Sequence, residues 1–322
     1  MITDPRPAPP VVAILGAGPA GMSCANACLS FGLAPLVIER SSQVGGAQRT
    51  NFHPNLWMLG SPGETGEEMT RRMAEHFAGL PVPTHFRAEV TGVERSDAGF
   101  RLDLSLTGET AVRPLHADAL VLATGMRPRA TPELEALARR SPRVIIGPLS
   151  DTIRFGIRDS AVLILGGGDN ALDHALFLAE RNNRVTVCAR AGFTARAAFL
   201  AACGSLPGVT LRPDCRPQAL EPAGGGLLAA WPGETARFDW LLVMYGYLPN
   251  TDVLERFEPH LRPDLTATGH IHTDAWQRTS TPGLYAAGDI TDSPQPSVPT
   301  AIAQGLAAAR AIERDLAKTR NV

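Results

Sequence analysis

Residues 11–21 read VVAILGAGPAG, and they decide the fold of the first part of the chain. The apolar run Val11–Leu15 predicts a short parallel strand that is buried on both faces. Gly16, Gly18 and Gly21 follow with the spacing of the strand-to-helix turn of dinucleotide-binding folds. The first glycine permits the tight turn, the second lets the backbone approach a pyrophosphate, and the third lets the helix pack closely on the strand.

The residues after this turn complete a strand–helix–strand unit. A helix is predicted from about Ala20 to Phe31, and its first N–H groups would face the phosphates. The segment APLVIER (34–40) predicts the next strand. Glu39 ends this strand at the distance where a carboxylate accepts hydrogen bonds from a ribose hydroxyl. A glycine pattern alone would be weak, but strand, turn, helix, strand and acid in register predict a dinucleotide site.

The same pattern returns at residues 161–190, AVLILGGGDNALDHALFLAERNNRVTVCAR. Here Gly166, Gly168 and Ala171 occupy the fingerprint positions. The second strand ends in Cys188–Arg190, and no Asp or Glu follows before residue 214, so the acid of an NAD site is missing. The two fingerprints predict an α/β fold with two doubly wound, Rossmann-like domains, the second inserted into the first.

Composition sets limits on the function. A chain of 322 residues is long enough for two domains, and a net charge of −2 argues against a dedicated nucleic-acid binder. Lys318 is the single lysine, which excludes a lysine-dependent phosphate loop. Prolines and glycines divide the uncharged stretch 7–38, so we expect no membrane span. Five cysteines without a C-x-x-C pair fit a reducing compartment, and a cytoplasmic location is expected.

Four motifs, in this order, resemble those of the flavoprotein disulfide reductases: GAGPAG (16–21), GGAQ (45–48), VLATG (121–125) and LYAAGD (284–289). Size and layout resemble the thioredoxin-reductase-like branch of the pyridine nucleotide-disulfide oxidoreductases, over essentially the whole chain. The resemblance implies FAD at the first fingerprint and NAD(P)H at the second. It implies an FAD-binding domain made of 1–121 and 247–322, and an NAD(P)H-binding domain at 122–246.

The resemblance also implies roles for individual residues. Asp289 would bind the ribityl chain, the helix beginning near Val298 would face the flavin, and His53 would stack on the isoalloxazine. The residues expected around FAD are Gly16, Gly18, Pro19, Ala20, Gly21, Glu39, Arg40, Gly46, Gln48, His53, Asn55, Val90, Thr124, Gly125, Gly288, Asp289, Val298, Thr300 and Ala301. Those expected around the nicotinamide nucleotide are Gly166, Gly168, Asp169, Asn170, Ala171, Arg190 and Arg196.

The expected nucleotide is NADPH. Thioredoxin reductases hold its 2′-phosphate with several arginines, of which Arg190 is retained here. Thr194 occupies the position of another, and Arg196 lies two residues further on. NADPH held by Arg190 and Arg196 is therefore predicted, and a weakened or lost nicotinamide site is the alternative.

One departure from thioredoxin reductases decides the expected reaction. Their redox-active cysteine pair lies just before the second fingerprint, but the corresponding segment VIIGPLSDTIRFGIRDS (144–160) has no cysteine. A dithiol relay of the usual kind is therefore not expected. The related ferredoxin or flavodoxin–NADP reductases work without this pair, and VPTA (298–301) resembles the start of their last helix.

The sequence thus predicts an FAD-dependent NAD(P)H oxidoreductase that delivers electrons to a carrier protein, a ferredoxin or flavodoxin, or to a small acceptor. One alternative is a flavoprotein with a degenerate nicotinamide site, reduced by ferredoxin or by its substrate. Another is a non-catalytic FAD-bound sensor. The family habit predicts a homodimer.

His270 and His272 would share one face of a strand, but no third metal ligand is evident, so a surface strand without a metal is expected.

Overall fold

A computed structural model describes residues 8–96, 99–109 and 111–320, with side chains through Lys318. The chain divides into two compact units, Met1–Met126 with Pro249–Val322, and Arg127–Leu248. The strands are β1 (Val11–Leu15), β2 (Ala34–Glu39), β3 (Thr84–Phe86), β4 (Ala88–Ser96), β5 (Gly99–Leu106), β6 (Arg113–Ala117), β7 (Ala119–Leu122), β8 (Met126–Pro128), β9 (Val144–Ile146), β10 (Ala161–Leu165), β11 (Arg184–Cys188), β12 (Val209–Arg212), β13 (Ala219–Ala223), β14 (Gly226–Trp231), β15 (Glu234–Phe238), β16 (Trp240–Val243), β17 (Tyr247–Pro249) and β18 (Leu284–Ala286). The helices are α1 (Pro19–Ser30), α2 (Gly66–Ala78), α3 (Pro132–Arg140), α4 (Asp169–Ala179), α5 (Ala197–Ser205) and α6 (Val298–Arg320).

The first unit contains a five-stranded sheet in the order β18-β7-β1-β2-β3, whose strand pairs are all parallel. Along β1, Val12 and Ile14 belong to the core shared with α1 and α6, whereas Ala13 and Leu15 belong to the core shared with β4–β6. Successive strand residues face opposite sides of a sheet, so burial on both sides requires the continuous apolar run seen in the sequence. Leu15 pairs with Ile38 and with Leu122, so the carboxyl ends of β1, β2 and β7 lie at one edge.

The second unit repeats this architecture. Its sheet has the order β12-β11-β10-β16-β9, and all its pairs are parallel. Leu165 at the end of β10 pairs with Cys188 and with Val243. The antiparallel strands β13–β15 contribute Leu227 and Phe238 to the core of one face. The predicted two-domain Rossmann-like α/β fold is confirmed, and which unit binds which nucleotide stays a prediction.

Two local expectations need correction. Helix α1 begins at Pro19 and ends at Ser30, one residue earlier at each end than predicted. Proline suits the first turn of a helix because the first N–H groups have no partner within the helix. His270 and His272 flank Ile271, which forms two isolated bridges, and do not share a strand. No helix in the described ranges combines the length and the apolar character that crossing a membrane requires.

Candidate nucleotide-binding sites

The first glycine turn is compact because its backbone segments approach closely. Gly16 has φ of +104°, and a Cβ at this residue would lie 2.4 Å from the carbonyl oxygen of Ala123. A Cβ at Gly21 would lie 1.9 Å from the carbonyl oxygen of Gly16. Neither position has room for a side chain. The roles that the spacing assigned to these two glycines therefore have a geometric basis.

Gly18 differs because the protein leaves the space beside it open. It is the N-cap of α1, with φ of −73°, no side-chain cap and no acidic residue in the first helical turn. A Cβ built on Gly18 would meet no protein atom within 4 Å. The uncapped N–H groups and the positive end of the helix dipole thus face an open cradle, which fits a pyrophosphate. Gly46 approaches this cradle, since a Cβ there would lie 3.2 Å from the Gly18 Cα.

Glu39 is held firmly at the end of β2. Its side chain is buried, one carboxylate oxygen accepts from the N–H of Ala17 at 2.7 Å, and the other accepts from the N–H of Ser41 at 2.7 Å. Each oxygen retains a lone pair after these bonds. The carboxylate is therefore oriented by backbone donors and can still accept from ribose hydroxyls, as FAD requires. The next residue, Arg40, is exposed.

The Gly288–Asp289 turn depends on two residues that sequence reasoning missed. The N–H of Gly288 donates to the Gln304 side-chain oxygen at 2.8 Å, and the Thr291 hydroxyl donates to the Gly288 carbonyl at 2.9 Å. The Gln304 amide in turn donates to the Thr291 hydroxyl at 3.1 Å. Gln304 is a polar residue within the alanine-rich run AIAQGLAAA of α6. That contrast is the signal that could have identified it.

Asp289 supplies the unsatisfied acceptor that a ribityl chain would need. Its carboxyl is half-buried, and no group in the described part of the chain donates a hydrogen bond to it. Burial raises the pKa of Asp289 above its usual value, and the charge of His270 opposes this shift. A half-buried carboxylate without donors fits a ligand that brings hydroxyl groups.

Helix α6 joins the Gly288 turn to α1. A Cβ at Gly305 would lie 2.3 Å from the Ala20 carbonyl oxygen, and one at Gly288 would lie 2.9 Å from the Ala20 Cβ. The Ser23 hydroxyl donates to the Ile302 carbonyl at 2.7 Å. Among the predicted residues at the start of α6, Val298 and Ala301 are buried, and Thr300 hydrogen-bonds to Ser297. The first fingerprint, the Gly-Asp pair and the last helix therefore meet around Ala20.

The side-chain amides of segment 45–57 bond within the segment, whose backbone also bonds to residues 64–67. The Gln48 side-chain oxygen accepts from the Asn51 amide at 3.0 Å, and the Asn55 side-chain oxygen accepts from the N–H of Trp57 at 3.1 Å. The His53 ring packs on Phe52 with a centroid separation of 4.4 Å. The aromatic pair is in place, and its stacking on a flavin stays a prediction.

Two further FAD candidates lie apart from this segment. Val90 is buried at a register shift in β4. Thr124 donates through its hydroxyl to the Asn250 carbonyl at 2.9 Å, and the Asn250 amide donates to the Thr124 carbonyl at 2.8 Å. The Gly125 carbonyl accepts from the N–H of Asn250. Asn250, which the sequence analysis did not single out, therefore fixes the predicted Thr124–Gly125 pair.

The second fingerprint reproduces the geometry of the first. A Cβ at Gly166 would lie 2.3 Å from the Met244 carbonyl oxygen, and one at Gly168 would meet nothing within 4 Å. Gly168 is the N-cap of α4, again without a side-chain cap, and Ala171 is fully buried behind it. The N-terminus of α4 therefore offers a similar open cradle for a pyrophosphate, although its first turn carries Asp169, which pairs with Arg196.

The arginines at the second strand end differ in their surroundings. Arg196 donates to the Asp169 carboxylate through its backbone N–H at 2.8 Å and its Nε at 2.7 Å. Arg190 is exposed, and no described group pairs with its side chain. The neighbouring Asn170, also predicted to contact the nucleotide, is exposed. Of the two predicted arginines, Arg190 is available to a ligand and Arg196 is engaged by an acid.

Comparison with known proteins decides the family. The model of the pyridine nucleotide-disulphide oxidoreductase family matches residues 10–305. The chain belongs to this family. The predicted thioredoxin-reductase-like recognition is thereby confirmed, and so is the enzyme class, an FAD-dependent NAD(P)H oxidoreductase. The cofactors that this membership implies are FAD and NADPH, and the open cradles at Gly18 and Gly168 fit them.

The chain is similar in sequence or in structure to ferredoxin–NADP reductases and thioredoxin reductases. A ferredoxin–NADP reductase of Limosilactobacillus fermentum is 31% identical over 86% of this chain and 84% of its own length. A thioredoxin reductase of Treponema pallidum is 29% identical over 93% of this chain and 95% of its own. The crystal structure of Lactococcus lactis thioredoxin reductase, in its FR conformation, superposes with a TM-score of 0.78 at 23% identity, covering 96% of this chain and 99% of that one. The last similarity shows the fold.

The cysteines of this family member are all withdrawn from solvent. Each of the five is a buried free thiol, and none lies in the segment 144–160. Cys24 and Cys28 lie one turn apart in α1. A hydrogen bond with the neighbouring Cys28 thiol, followed by burial, raises the pKa of Cys24. A thiol that must attack a partner protein needs access to that protein, which these buried cysteines lack.

Proposed function

We propose that this oxidoreductase passes electrons from NADPH through FAD to a ferredoxin- or flavodoxin-type carrier or a small acceptor, without a dithiol relay. The observation that carries the proposal is that two complete nucleotide cradles accompany five buried cysteines, none of them in segment 144–160. When bound, FAD supplies the chemistry that links hydride transfer from a nicotinamide to electron delivery. The relatives named ferredoxin–NADP reductase support the carrier assignment.

The residues of the first unit bind and orient the flavin nucleotide. The N-terminus of α1 stabilises the pyrophosphate charge, Glu39 accepts from the adenosine ribose, and Asp289 accepts from the ribityl hydroxyls. Gln304 and Thr291 hold the Gly-Asp turn and therefore position the Asp289 carboxylate. In this arrangement no cysteine of the chain takes part in the transfer.

The preference for NADPH rests on Arg190 and on a second arginine, Arg216. The N–H of Cys215 donates to the Ala189 carbonyl at 2.9 Å, so each arginine directly follows one partner of this hydrogen bond. Arg216 is exposed like Arg190, and the described residues offer its side chain no hydrogen bond or ion pair. Both arginines lie near the carboxyl ends of β11 and β12, at the edge where the adenosine ribose binds in doubly wound folds.

Tyr245 supports this placement. It follows the end of β16 by two residues, and burial raises the pKa of its phenol. The positive charges of Arg216 and Arg190 both act on the phenol in the opposite direction. The charges of both guanidinium groups therefore act on the surroundings of Tyr245, and two positive charges at this strand edge suit the dianionic 2′-phosphate of NADPH.

Substitution of the arginines tests the nucleotide preference. Arg190→Ala and Arg216→Ala should each raise the KM for NADPH by about 10- to 100-fold, since a charge-assisted hydrogen bond contributes about 1.5–3 kcal/mol. The KM for NADH should change little. Arg196→Ala is the matched control, because Asp169 already binds that side chain. Equal KM values in all three variants and the wild type would refute the assignment.

The acceptor is tested separately. NADPH-dependent reduction of cytochrome c should require added ferredoxin or flavodoxin, and NADPH-dependent reduction of thioredoxin should be undetectable. Replacement of all five cysteines by serine or alanine should leave electron transfer to the carrier intact. Rapid thioredoxin reduction that disappears in the cysteine-free variant would overturn the proposal in favour of a dithiol enzyme.

A further inference from the structure

Two thiols of the second unit lie side by side, and they shortly precede Arg190 and Arg216, the proposed phosphate ligands, in the chain. Cys188 is the last residue of β11, and Cys215 follows the end of β12 by three residues. Their sulfur atoms are 2.8 Å apart, within about 0.8 Å of the length of a disulfide bond. Both side chains are buried, Cys188 at 2% exposure and Cys215 at 9%.

The backbone holds the two sulfur atoms in this position. β11 pairs with β12 in a register that sets Cys188 opposite Arg212. The N–H of Ala189 donates to the Arg212 carbonyl at 3.0 Å, and the N–H of Cys215 donates to the Ala189 carbonyl at 2.9 Å. Backbone hydrogen bonds therefore flank the thiol pair, and only a small side-chain adjustment separates the dithiol from a disulfide.

The surroundings of the pair set the order of reaction. Burial, followed by the neighbouring Cys215 thiol, raises the pKa of Cys188 well above its usual value, whereas the nearby charge of Arg212 opposes the shift. Cys188 is therefore a poor first nucleophile. Cys215 is the more exposed thiol and is the one that a small oxidant can reach first.

We propose that Cys188 and Cys215 are a modification site that closes to an intrachain disulfide on reaction with hydrogen peroxide. The Cys215 sulfur attacks one peroxide oxygen and the O–O bond breaks. The other oxygen departs as water, and Cys215 becomes a sulfenic acid. The Cys188 sulfur then attacks the Cys215 sulfur, the S–O bond breaks, and a second water leaves. The two sulfurs lose two electrons in total, which reduce one peroxide to two waters, and a small dithiol reverses the reaction.

The bond would link the two segments that carry Arg190 and Arg216. This consequence for nucleotide binding rests on the proposed function, but formation of the bond does not. A disulfide would join positions 188 and 215, 27 residues apart, and restrict the unfolded chain. Closure therefore gives the second unit a more stable oxidised form that keeps the arginine segments together.

The test is thiol mapping on the FAD-loaded protein. After exposure to hydrogen peroxide and alkylation in denaturant, the wild type should retain three of its five alkylatable thiols. Peptide mass spectrometry should find Cys188 linked to Cys215, and dithiothreitol should restore all five thiols. The oxidised protein should also melt several degrees higher than the reduced protein.

Matched variants make the result specific. Cys215→Ser should abolish both the linkage and the shift in melting temperature. Cys28→Ser changes a thiol of the other buried pair and should leave both unchanged. Should Cys215→Ser not fold, Cys188→Ala serves the same purpose, and the wild-type map needs no variant. Five free thiols after oxidation, or a linkage of Cys188 or Cys215 to any other cysteine, would overturn the proposal. Absence of NADPH activity in the reduced protein, together with formation of the 188–215 linkage on oxidation, would count against the proposed function alone.

Discussion

Gly18→Ala and Gly168→Ala form a matched pair that separates the two nucleotide sites. Both glycines are N-caps of the helix after a fingerprint, with φ of −73° and −92° and no side-chain cap. A Cβ at either position meets no protein atom within 4 Å. Because these N-cap residues have an ordinary φ and open space beside them, alanine fits at both positions. The new methyl group meets only the pyrophosphate of a bound nucleotide.

The structure sets the size of the two effects. Loss of a glycine N-cap in favour of alanine should lower the free energy of unfolding by about 1 kcal/mol at most. A methyl group forced against a tightly held ligand costs about 1–3 kcal/mol, which raises the dissociation constant by roughly 5- to 150-fold. Gly18→Ala should therefore fold normally and bind FAD more weakly by this factor. Gly168→Ala should keep FAD and bind NADPH weakly.

The assay compares cofactor content with stability. The ratio of flavin to protein absorbance after purification reports FAD retention, fluorescence titration of the apoprotein gives the FAD dissociation constant, and thermal unfolding of the apoprotein shows whether the fold is intact. Binding of NADP⁺, which carries the pyrophosphate, gives the affinity of the second site. An unchanged FAD dissociation constant in Gly18→Ala, or weaker FAD binding in Gly168→Ala alone, would refute the assignment of the first fingerprint to FAD.

Further predictions concern α6 and the Gly-Asp turn. Gly305→Ala forces a Cβ against the α1 backbone, which should cost about 2 kcal/mol and lower the melting temperature by roughly 4–8 °C. Gly204→Ala, at an open helical position of α5, is the control and should not lower it. Gln304→Ala leaves the Gly288 N–H without its acceptor and should weaken FAD binding and lower the free energy of unfolding by about 1–3 kcal/mol, measured by urea unfolding. Burial raises the pKa of Asp289, so the folded apoprotein holds the proton of this carboxyl more tightly than the unfolded chain does. The free energy of unfolding therefore falls as pH rises through the raised pKa. Apo Asp289→Asn should therefore unfold at a higher urea concentration than apo wild type at pH 7, and this difference should vanish at acidic pH. An equal difference at all pH values would contradict the prediction.

The sequence predicted the fold well because one physical signal repeats in it. An apolar strand, a glycine turn and a helix in register constrain the backbone strongly, and the structure shows the same crowding at Gly16 and Gly166. Asp289 was singled out because it belongs to a motif with fixed spacing to a helix, and its contact with FAD stays a prediction. Residues of this kind are identified by local sequence alone.

The residues that sequence reasoning missed act across long sequence separations. Gln304 binds the backbone of Gly288, which is 16 positions away, and Asn250 binds that of Thr124, which is 126 positions away. No local spacing in the sequence reveals such contacts. Arg216 reaches the second strand end only through the pairing of β11 with β12. The prediction that Arg196 holds a phosphate stays untested, although its ion pair with Asp169 favours Arg216 in that role.

Anaerobic titration with NADPH tests the central claim most directly. The FAD-loaded protein is placed under argon, its flavin absorption band is recorded, and NADPH and NADH are added in separate experiments. The account predicts that NADPH bleaches the band at near-stoichiometric amounts and that NADH requires a large excess. A flavin band that ignores both nucleotides would contradict it and would indicate an electron donor of another kind.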